Sequence, residues 1–325
     1  MLSALGLCLL GLCVLVVGAE LLTRGGSALA ARLGVPPIVI GLTVVAVGTS
    51  APELAVSIDA AAQGNGALAV GNIAGTNTVN VLLILGLSAF IRPLGLHVQT
   101  LRLDLPVMVI AAIALMVMAM GGHLTQREGL VLVAAGALYT VIVVHQAQRE
   151  SRAIRAEFQR EYATDWNGAQ ARRQVVANLT ALGVGIAVIA LGADWFVDGS
   201  VALARIWGVS DAFIGLTVVA IGTSSPELVT TILSTLKGER DIAVGNLLGS
   251  SVYNIFFILG AACLVTPQGI PVTTELIWID IPVMALVALV CIPVFLSGRI
   301  ITRLEGGLFV AAYATYLACL VVGRT

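Results

Sequence analysis

The chain has 325 residues, of which 58% are hydrophobic and 11% are charged, and its formal net charge is -1. A soluble domain carries about 25% charged residues, so this composition excludes an ordinary water-soluble enzyme, and the high apolar content excludes a disordered chain. The small net charge gives no basis for nucleic-acid binding, and an integral membrane protein is the expected class.

Ten apolar segments are long enough to cross a bilayer as helices, since about 20 residues span the hydrocarbon. In chain order they cover 1–23, 36–63, 66–91, 104–121, 126–146, 174–197, 210–237, 240–265, 279–297 and 303–322.

The two halves of the chain repeat each other. Residues 41–86 and 215–260 align without gaps at a shift of 174, with 23 of 46 residues identical. We therefore predict a first repeat over 1–146, a polar connector over 147–173 and a second repeat over 174–325. Each repeat holds five spans, an odd number, so the second must be inverted relative to the first. The predicted fold is an all-α integral membrane protein with ten transmembrane helices in two inverted five-helix repeats.

The loop charges predict the orientation. With the N-terminus outside, 14 of the 17 Lys and Arg residues fall on the inner side and 3 on the outer side. Inner loops carry the excess of basic residues, so we predict a multi-pass protein of the inner (cytoplasmic) membrane with both termini outside. The connector is then cytoplasmic. We interpret it as a solvated, partly helical linker, with a regulatory or partner-binding role as the alternative.

Two glutamates lie near the middle of apolar segments. Glu53 falls within 36–63 and Glu227 within 210–237, in matching contexts. An ionisable group at that depth costs at least about 2.5–3.5 kcal/mol, which makes it a candidate functional group. The structural alternative is a protonated glutamate that is hydrogen-bonded to a neighbouring helix.

Both glutamates end the motif G-T-S-[AS]-P-E. Pro52 lacks an N–H and disturbs the preceding helical turn, so the carbonyl of Ala46 and its two successors are candidates to be freed from helix bonding. Thr49 lies four residues before Glu53 and so projects from nearly the same face. The alternative is a proline kink that serves packing alone. The second repeat has the same pattern, with Ala220, Thr223, Ser224, Pro226 and Glu227.

The next helix of each repeat carries G-N-x-x-G-[TS]-x-x-x-N. Thr76 and Asn80 share one face in the first repeat, as Ser250 and Asn254 do in the second. The motif glycines allow close helix approach, which would bring these groups to the broken helices. A helix-to-helix hydrogen bond is the alternative role for each hydroxyl. The motif asparagines Asn72 and Asn246 read as packing or capping groups and are left out of the predicted site.

The combined set contains only oxygen ligands: carboxylates, hydroxyls, amides and carbonyls. Such a set suits hard cations such as Ca²⁺, which takes 6–8 oxygens, and also accepts Na⁺. Two ionised glutamates would be neutralised by one Ca²⁺ or by two Na⁺. Competition for shared carboxylates then predicts obligatory exchange of the two ions, and the inverted halves supply two nearly equal states, open outward and open inward. No enzymatic activity is expected.

The doubled motifs GTSAPE with GNIAGTNTVN, and GTSSPE with GNLLGSSVYN, resemble those of the calcium/cation antiporter superfamily, in particular short prokaryotic sodium/calcium exchangers. The resemblance implies a countertransporter with four central cation sites. It implies Ca²⁺ ligation by Glu53, Glu227, Thr49 and Thr223. It implies Na⁺ ligation by the same glutamates with the Ala46 and Ala220 carbonyls and the Thr76 and Ser250 hydroxyls. It also implies that Ser50 and Ser224 line the passage, and that helices 1 and 6 slide against the remainder.

One position departs from the family pattern. Asn254 stands where some members, including the potassium-dependent branch, have aspartate, which argues against potassium co-transport. Glu20 and Asp194, on helices 1 and 6, read as candidate gate or rim residues, with helix-end solvation as the alternative. No cofactor, nucleic acid or obligate protein partner is expected. The expected partners are the lipid bilayer and small inorganic cations, with Ca²⁺ and Na⁺ transported.

Three other functions remain as alternatives. An H⁺/Ca²⁺ antiporter would use the same glutamates, because buried carboxyl groups can carry protons. An intramembrane hydrolase would need Ser50 or Ser224 as a nucleophile, but no histidine or lysine base lies nearby in the sequence. A passive channel would show no requirement for a counter-ion.

Overall fold

The computed structural model describes residues 2–33, 37–149, 169–207 and 220–324, which are largely helical. The helices are α1 Leu2–Leu33, α2 Pro37–Ile40, α3 Ala46–Thr49, α4 Ala51–Ala62, α5 Gly66–Thr78, α6 Gly86–Ile91, α7 Leu105–Ala119, α8 Gln126–Arg149, α9 Ala169–Ile206, α10 Ala220–Thr223, α11 Ser225–Lys237, α12 Arg240–Tyr253, α13 Gly260–Val265, α14 Ile281–Leu296 and α15 Arg303–Arg324. The strands are β1 Leu94–Gly95, β2 His123–Leu124, β3 Ile270–Pro271 and β4 Ile300–Ile301. Short π-helical stretches cover Gly41–Val45, Val79–Leu85, Thr100–Asp104, Asn254–Leu259 and Leu276–Asp280.

Within the described residues, seven helices are long and apolar enough to cross a membrane. The bent pair Gly41–Thr49 and Ala51–Ala62 adds an eighth span. The predicted last span corresponds to α15. The predicted span 210–237 is represented by α10 and α11, because residues 208–219 lie outside the described parts.

The predicted connector lies mostly outside the described residues. Helix α8 continues to Arg149 and α9 begins at Ala169, so helices enter the connector from both ends. The structure describes nothing of residues 150–168.

Two short antiparallel ladders reveal how the halves are oriented. Strand β1 pairs with β4, and β2 pairs with β3. In the repeat, β3 is the counterpart of β1, and β4 is the counterpart of β2. One membrane span, α7 or α14, separates the two strands of each half, so those strands lie at opposite ends of the bundle. Strand β1 lies at the same end of the bundle as its partner β4, whereas its counterpart β3 lies at the other end with β2. Counterpart strands of the two halves therefore lie at opposite ends. The second half is therefore inverted, as predicted.

Helices α1 and α9, one from each half, pack against each other along their length. Cys8 Sγ lies 3.4 Å from Ser200 Oγ near one end, and Gly25 faces Asn178 near the other, so the two helices are antiparallel. A Cβ atom on Gly192 would lie only 2.7 Å from Leu15 N. Glycine thus permits the backbones to touch, which is how helices associate in lipid.

The structure corrects the predicted role of two aspartates. In the sequence, Asp104 and Asp280 lie two residues before Pro106 and Pro282, a pattern that predicts N-capping of α7 and α14, but neither side chain makes a capping hydrogen bond. Each is the last residue of a π-helical stretch, so the helix begins before the aspartate and no free N–H groups remain for it to cap. Asp104 accepts a hydrogen bond of 3.1 Å from Tyr139 Oη, and Asp280 accepts one of 2.9 Å from Tyr316 Oη.

Candidate functional site

Both broken spans turn at the serine of the repeated motif. Ser50 has φ -84° and ψ 10°, and Ser224 has φ -84° and ψ 7°, which is a sparsely populated region outside the helical range. A proline then occupies the first turn of the next helix, where its missing N–H leaves no intrahelical bond unmade. The two parts of the first span meet at a bend of 53°. The break places Glu53 in the first turn of α4 and Glu227 in the first turn of α11.

The two glutamates are fully buried, with 0% of each residue exposed, and their carboxyl groups interact electrostatically. Glu227 Oε1 accepts a hydrogen bond of 3.0 Å from Ser50 Oγ, which joins the first broken span to the second. Glu227 Oε2 and both carboxyl oxygens of Glu53 have no hydrogen-bond partner among the described residues. Burial of carboxyl oxygens without donors is costly, so these oxygens are suited to accept a cation.

The Ala46 carbonyl lies at the centre of a second group of contacts. Ser250 Oγ lies 3.4 Å from this carbonyl oxygen and 3.5 Å from Glu227 Oε1. Thr49 Oγ1 lies 3.3 Å from the same carbonyl. The expectation that this carbonyl is freed from the helix is wrong, because it accepts a bond of 3.1 Å from Ser50 N. The helix breaks one residue later than expected, and the carbonyl oxygen serves both the backbone and the two hydroxyls.

The second broken span is less tightly enclosed by the described residues. Thr223 is half-buried, whereas its counterpart Thr49 is fully buried. Thr223 borders a cavity of about 620 Å³ whose described walls include Asn72 and Glu275. Ala220 is the first described residue of this span, and Ser224 Oγ is buried without a partner among the described residues.

The amides of the middle of the bundle form a separate group. Asn254 Nδ2 donates a hydrogen bond of 3.1 Å to Asn77 Oδ1, and Asn77 Nδ2 donates one of 3.0 Å to the Ser251 carbonyl. Asn80 is fully buried, and neither of its amide atoms has a partner among the described residues. Thr76 is also buried, at 3% exposed.

Hydrogen bonds and close contacts thus connect Ala46, Thr49, Ser50, Glu227 and Ser250. They do not connect Asn80 to Asn254, although both are buried.

Two residues outside the predicted site form hydrogen bonds with its members. Asn246 Oδ1 accepts a bond of 3.1 Å from Thr49 Oγ1, and its Nδ2 donates to Thr231 Oγ1 at 3.1 Å. Asn77 was not singled out at all. Polar residues in an otherwise apolar span were the available signal for both, but the partners come from other helices.

Comparison with known proteins places this chain in a family. The family model described as "Sodium/calcium exchanger protein" matches residues 3–145 and 178–322, which correspond to the two repeats. The inner membrane protein YrbG of Escherichia coli is 38% identical over 269 residues, which cover 82% of this chain and 81% of YrbG. The sodium/calcium exchanger MaX1 of Methanosarcina acetivorans is 32% identical over 340 residues, which cover 96% of this chain and 97% of MaX1. A structure of the sodium-calcium exchanger NCX_Mj superposes with a TM-score of 0.81 at 28% identity and covers 98% of each chain. These similarities agree with the ten-helix inverted-repeat fold.

Proposed function

The chain belongs to the sodium/calcium exchanger protein family, and we propose that it exchanges Na⁺ for Ca²⁺ across the cytoplasmic membrane by alternating access. It is a multi-pass membrane transporter of cations and not an enzyme. The observation that carries the proposal is the pair of fully buried glutamates, one from each inverted half, with three carboxyl oxygens that have no partner among the described residues.

The charge of this pair supports exchange. Two ionised carboxylates have a charge of -2, which one Ca²⁺ or two Na⁺ would neutralise. A neutral, filled site can pass through a low-dielectric barrier, whereas an empty charged site resists it. Because both ions need the same carboxylates, binding of one displaces the other.

We assign the ligands as the family resemblance implies. Ca²⁺ is bound by Glu53, Glu227, Thr49 and Thr223, which supply carboxyl and hydroxyl oxygens. The contacts of Ser250 with both the Ala46 carbonyl and Glu227 support a Na⁺ position between them. The remaining proposed contributors are Ala220, Thr76, Ser50, Ser224, Asn80 and Asn254.

Contacts of α1 with α11 support alternating access. Glu20 on α1 forms ion pairs with Lys237 at the end of α11 and with Arg24, and Thr23 Oγ1 lies 3.4 Å from Ser234 Oγ. At the counterpart positions, the repeat has Asp194 but an uncharged Gln63, so the same ion pair cannot form at the other end of the bundle. We propose that the ion pair holds the predicted cytoplasmic end closed.

Lys237→Gln, which copies the residue of the other repeat, should shift the balance toward the state that is open at the cytoplasmic end. Partly exposed ion pairs contribute about 0.2–1 kcal/mol, so we expect a shift of roughly 1.4- to fivefold. Faster hydrogen–deuterium exchange of residues 234–240 would report it. Gln63→Lys is the matched variant: it would allow an ion pair with Asp194 that holds the other end of the bundle closed, so it should favour the same state, open at the cytoplasmic end. Unchanged exchange in both variants would contradict the proposal.

Ion flux into proteoliposomes tests the function directly. We expect Ca²⁺ uptake that requires Na⁺ on the opposite side and that is unaffected by K⁺. Uptake driven by a pH gradient without Na⁺ would instead establish the alternative, H⁺/Ca²⁺ exchange through the same glutamates. Flux without any counter-ion would indicate a channel. The abundance of hydroxyl and carbonyl oxygens beside the carboxylates favours Na⁺.

The membrane orientation has its own test. We propose that both termini lie outside the cytoplasmic membrane, because of the distribution of basic residues. Reporter fusions at the C-terminus and within the connector 147–173 should report opposite sides of the membrane, and reports from the same side would contradict the topology.

A further inference from the structure

We propose that Asn77 is a positioning residue that sets the orientation of the Asn254 amide, so that Asn254 offers an oxygen and not an N–H group as a ligand in the middle of the bundle. The proposal rests on the proposed cation exchange, and it adds a residue that makes no direct ion contact. It depends on three groups only: the Ser251 carbonyl, Asn77 and Asn254.

The order of donors and acceptors along this series of hydrogen bonds allows only one arrangement of the two amides. The Ser251 carbonyl can only accept, so the Asn77 atom 3.0 Å away from it must be Nδ2. The Asn77 oxygen then faces Asn254, and the Asn254 atom 3.1 Å away from it must be Nδ2. The oxygen and nitrogen of an amide are otherwise hard to distinguish, but a backbone carbonyl removes that ambiguity here. Asn254 Oδ1 therefore points away from Asn77.

This oxygen is available to a ligand. Asn254 is fully buried, and its Oδ1 has no hydrogen-bond partner among the described residues. Rotation of the amide would set the oxygens of Asn77 and Asn254 against each other, so the side chain cannot relieve the unpaired acceptor by flipping. A buried acceptor without a donor is unfavourable, and a bound cation or an ion-bound water removes that penalty.

The same arrangement selects against an acid at position 254. A carboxylate there would place an acceptor against Asn77 Oδ1, where the amide now places a donor. Asn77 thus favours a neutral residue at 254 and leaves the negative charge of the site to Glu53 and Glu227. The second repeat cannot form the equivalent pair of amide hydrogen bonds, because Ser251 occupies the position that corresponds to Asn77.

A double-mutant cycle of Asn77→Ala and Asn254→Ala tests the proposal. The readout is the Na⁺ concentration that gives half-maximal thermal stabilisation of the purified full-length protein in detergent, because an ion that binds the folded state raises its melting temperature. We expect Asn77→Ala to raise this midpoint about tenfold, which corresponds to one buried hydrogen bond. In the Asn254→Ala background, Asn77→Ala should change the midpoint no further.

Thr78→Val is the matched control. Thr78 is buried beside Asn77, but its hydroxyl donates within its own helix to the Ala74 carbonyl at 2.9 Å. The Na⁺ midpoint of the Thr78→Val variant should equal that of the wild type. If Asn77→Ala does not fold, Asn77→Ser replaces it, since the second repeat has serine at this position and serine is too short to reach both partners.

Three results would overturn the role of Asn77: an unchanged midpoint in the single variant, an equal change in both backgrounds, or a similar change in Thr78→Val. The measurement reports binding whether or not transport is coupled. A wild type that binds Na⁺ but shows no Na⁺-driven flux would therefore overturn the proposed function alone. A wild type stabilised by neither Na⁺ nor Ca²⁺ would overturn both.

Discussion

Glu227→Gln should reduce Na⁺-driven Ca²⁺ uptake to about one hundredth of the wild-type rate or less. The amide removes one of the two negative charges and one ligand oxygen, and loss of a charged ligand costs about 3 kcal/mol or more. The protein should remain folded, because Ser50 Oγ can still donate to the amide oxygen in place of the carboxylate oxygen. Initial rates of ⁴⁵Ca²⁺ uptake in proteoliposomes measure the effect. Glu53→Gln should show the same loss, since its two carboxyl oxygens have no partner among the described residues.

Glu305→Gln provides the matched control for this prediction. Glu305 is a glutamate in the first turn of α15, where its Oε2 accepts from Thr302 N at 2.8 Å at the exposed end of the helix. Uptake by this variant should stay close to the wild-type rate. Full activity of Glu53→Gln or Glu227→Gln would contradict the site.

Gly249→Ala should reduce both stability in detergent and ion binding. A Cβ atom on Gly249 would lie 2.7 Å from Leu42 O and 2.9 Å from Ala46 Cβ, so α12 must move away from the first broken span. Overpacking of this kind costs about 1–3 kcal/mol. The neighbouring Ser250 would leave the Ala46 carbonyl, and the Na⁺ midpoint of thermal stabilisation should rise together with a fall in the ion-free melting temperature.

Gly183→Ala is the corresponding control. Gly183 lies on an exposed face of α9, and a Cβ there meets no described atom within 4 Å. Alanine favours helix more than glycine, so this variant should be as stable as the wild type or slightly more stable. A Gly249→Ala protein that matches Gly183→Ala in both measurements would show that the close contact is unimportant.

Prediction from the sequence succeeded where a pattern is local or repeats along the chain. The inverted fold followed from an odd number of spans per repeat, and the strand pairing confirms it. Within the site, the break before Pro52 was predicted correctly, but its position was wrong by one residue, which left the Ala46 carbonyl bonded to Ser50 N. The capping role of Asp104 was wrong because the helix already begins at Thr100, and its tyrosine partner, 35 residues away on another helix, could not be read from the local sequence.

The amino-acid sequence alone determines that this chain is a membrane protein with two related halves and a buried glutamate in each. Those properties depend on composition, on span length and on the cost of burying charge, which are the same in any folded arrangement. Which oxygens meet depends on helix packing. Ser50 contacts the glutamate of the opposite half, and Asn77 contacts Asn254 across 177 positions of sequence. Such contacts depend on how closely the helices approach, as where Gly249 lets α12 lie against Leu42 and Ala46, and no local pattern encodes the register of that approach.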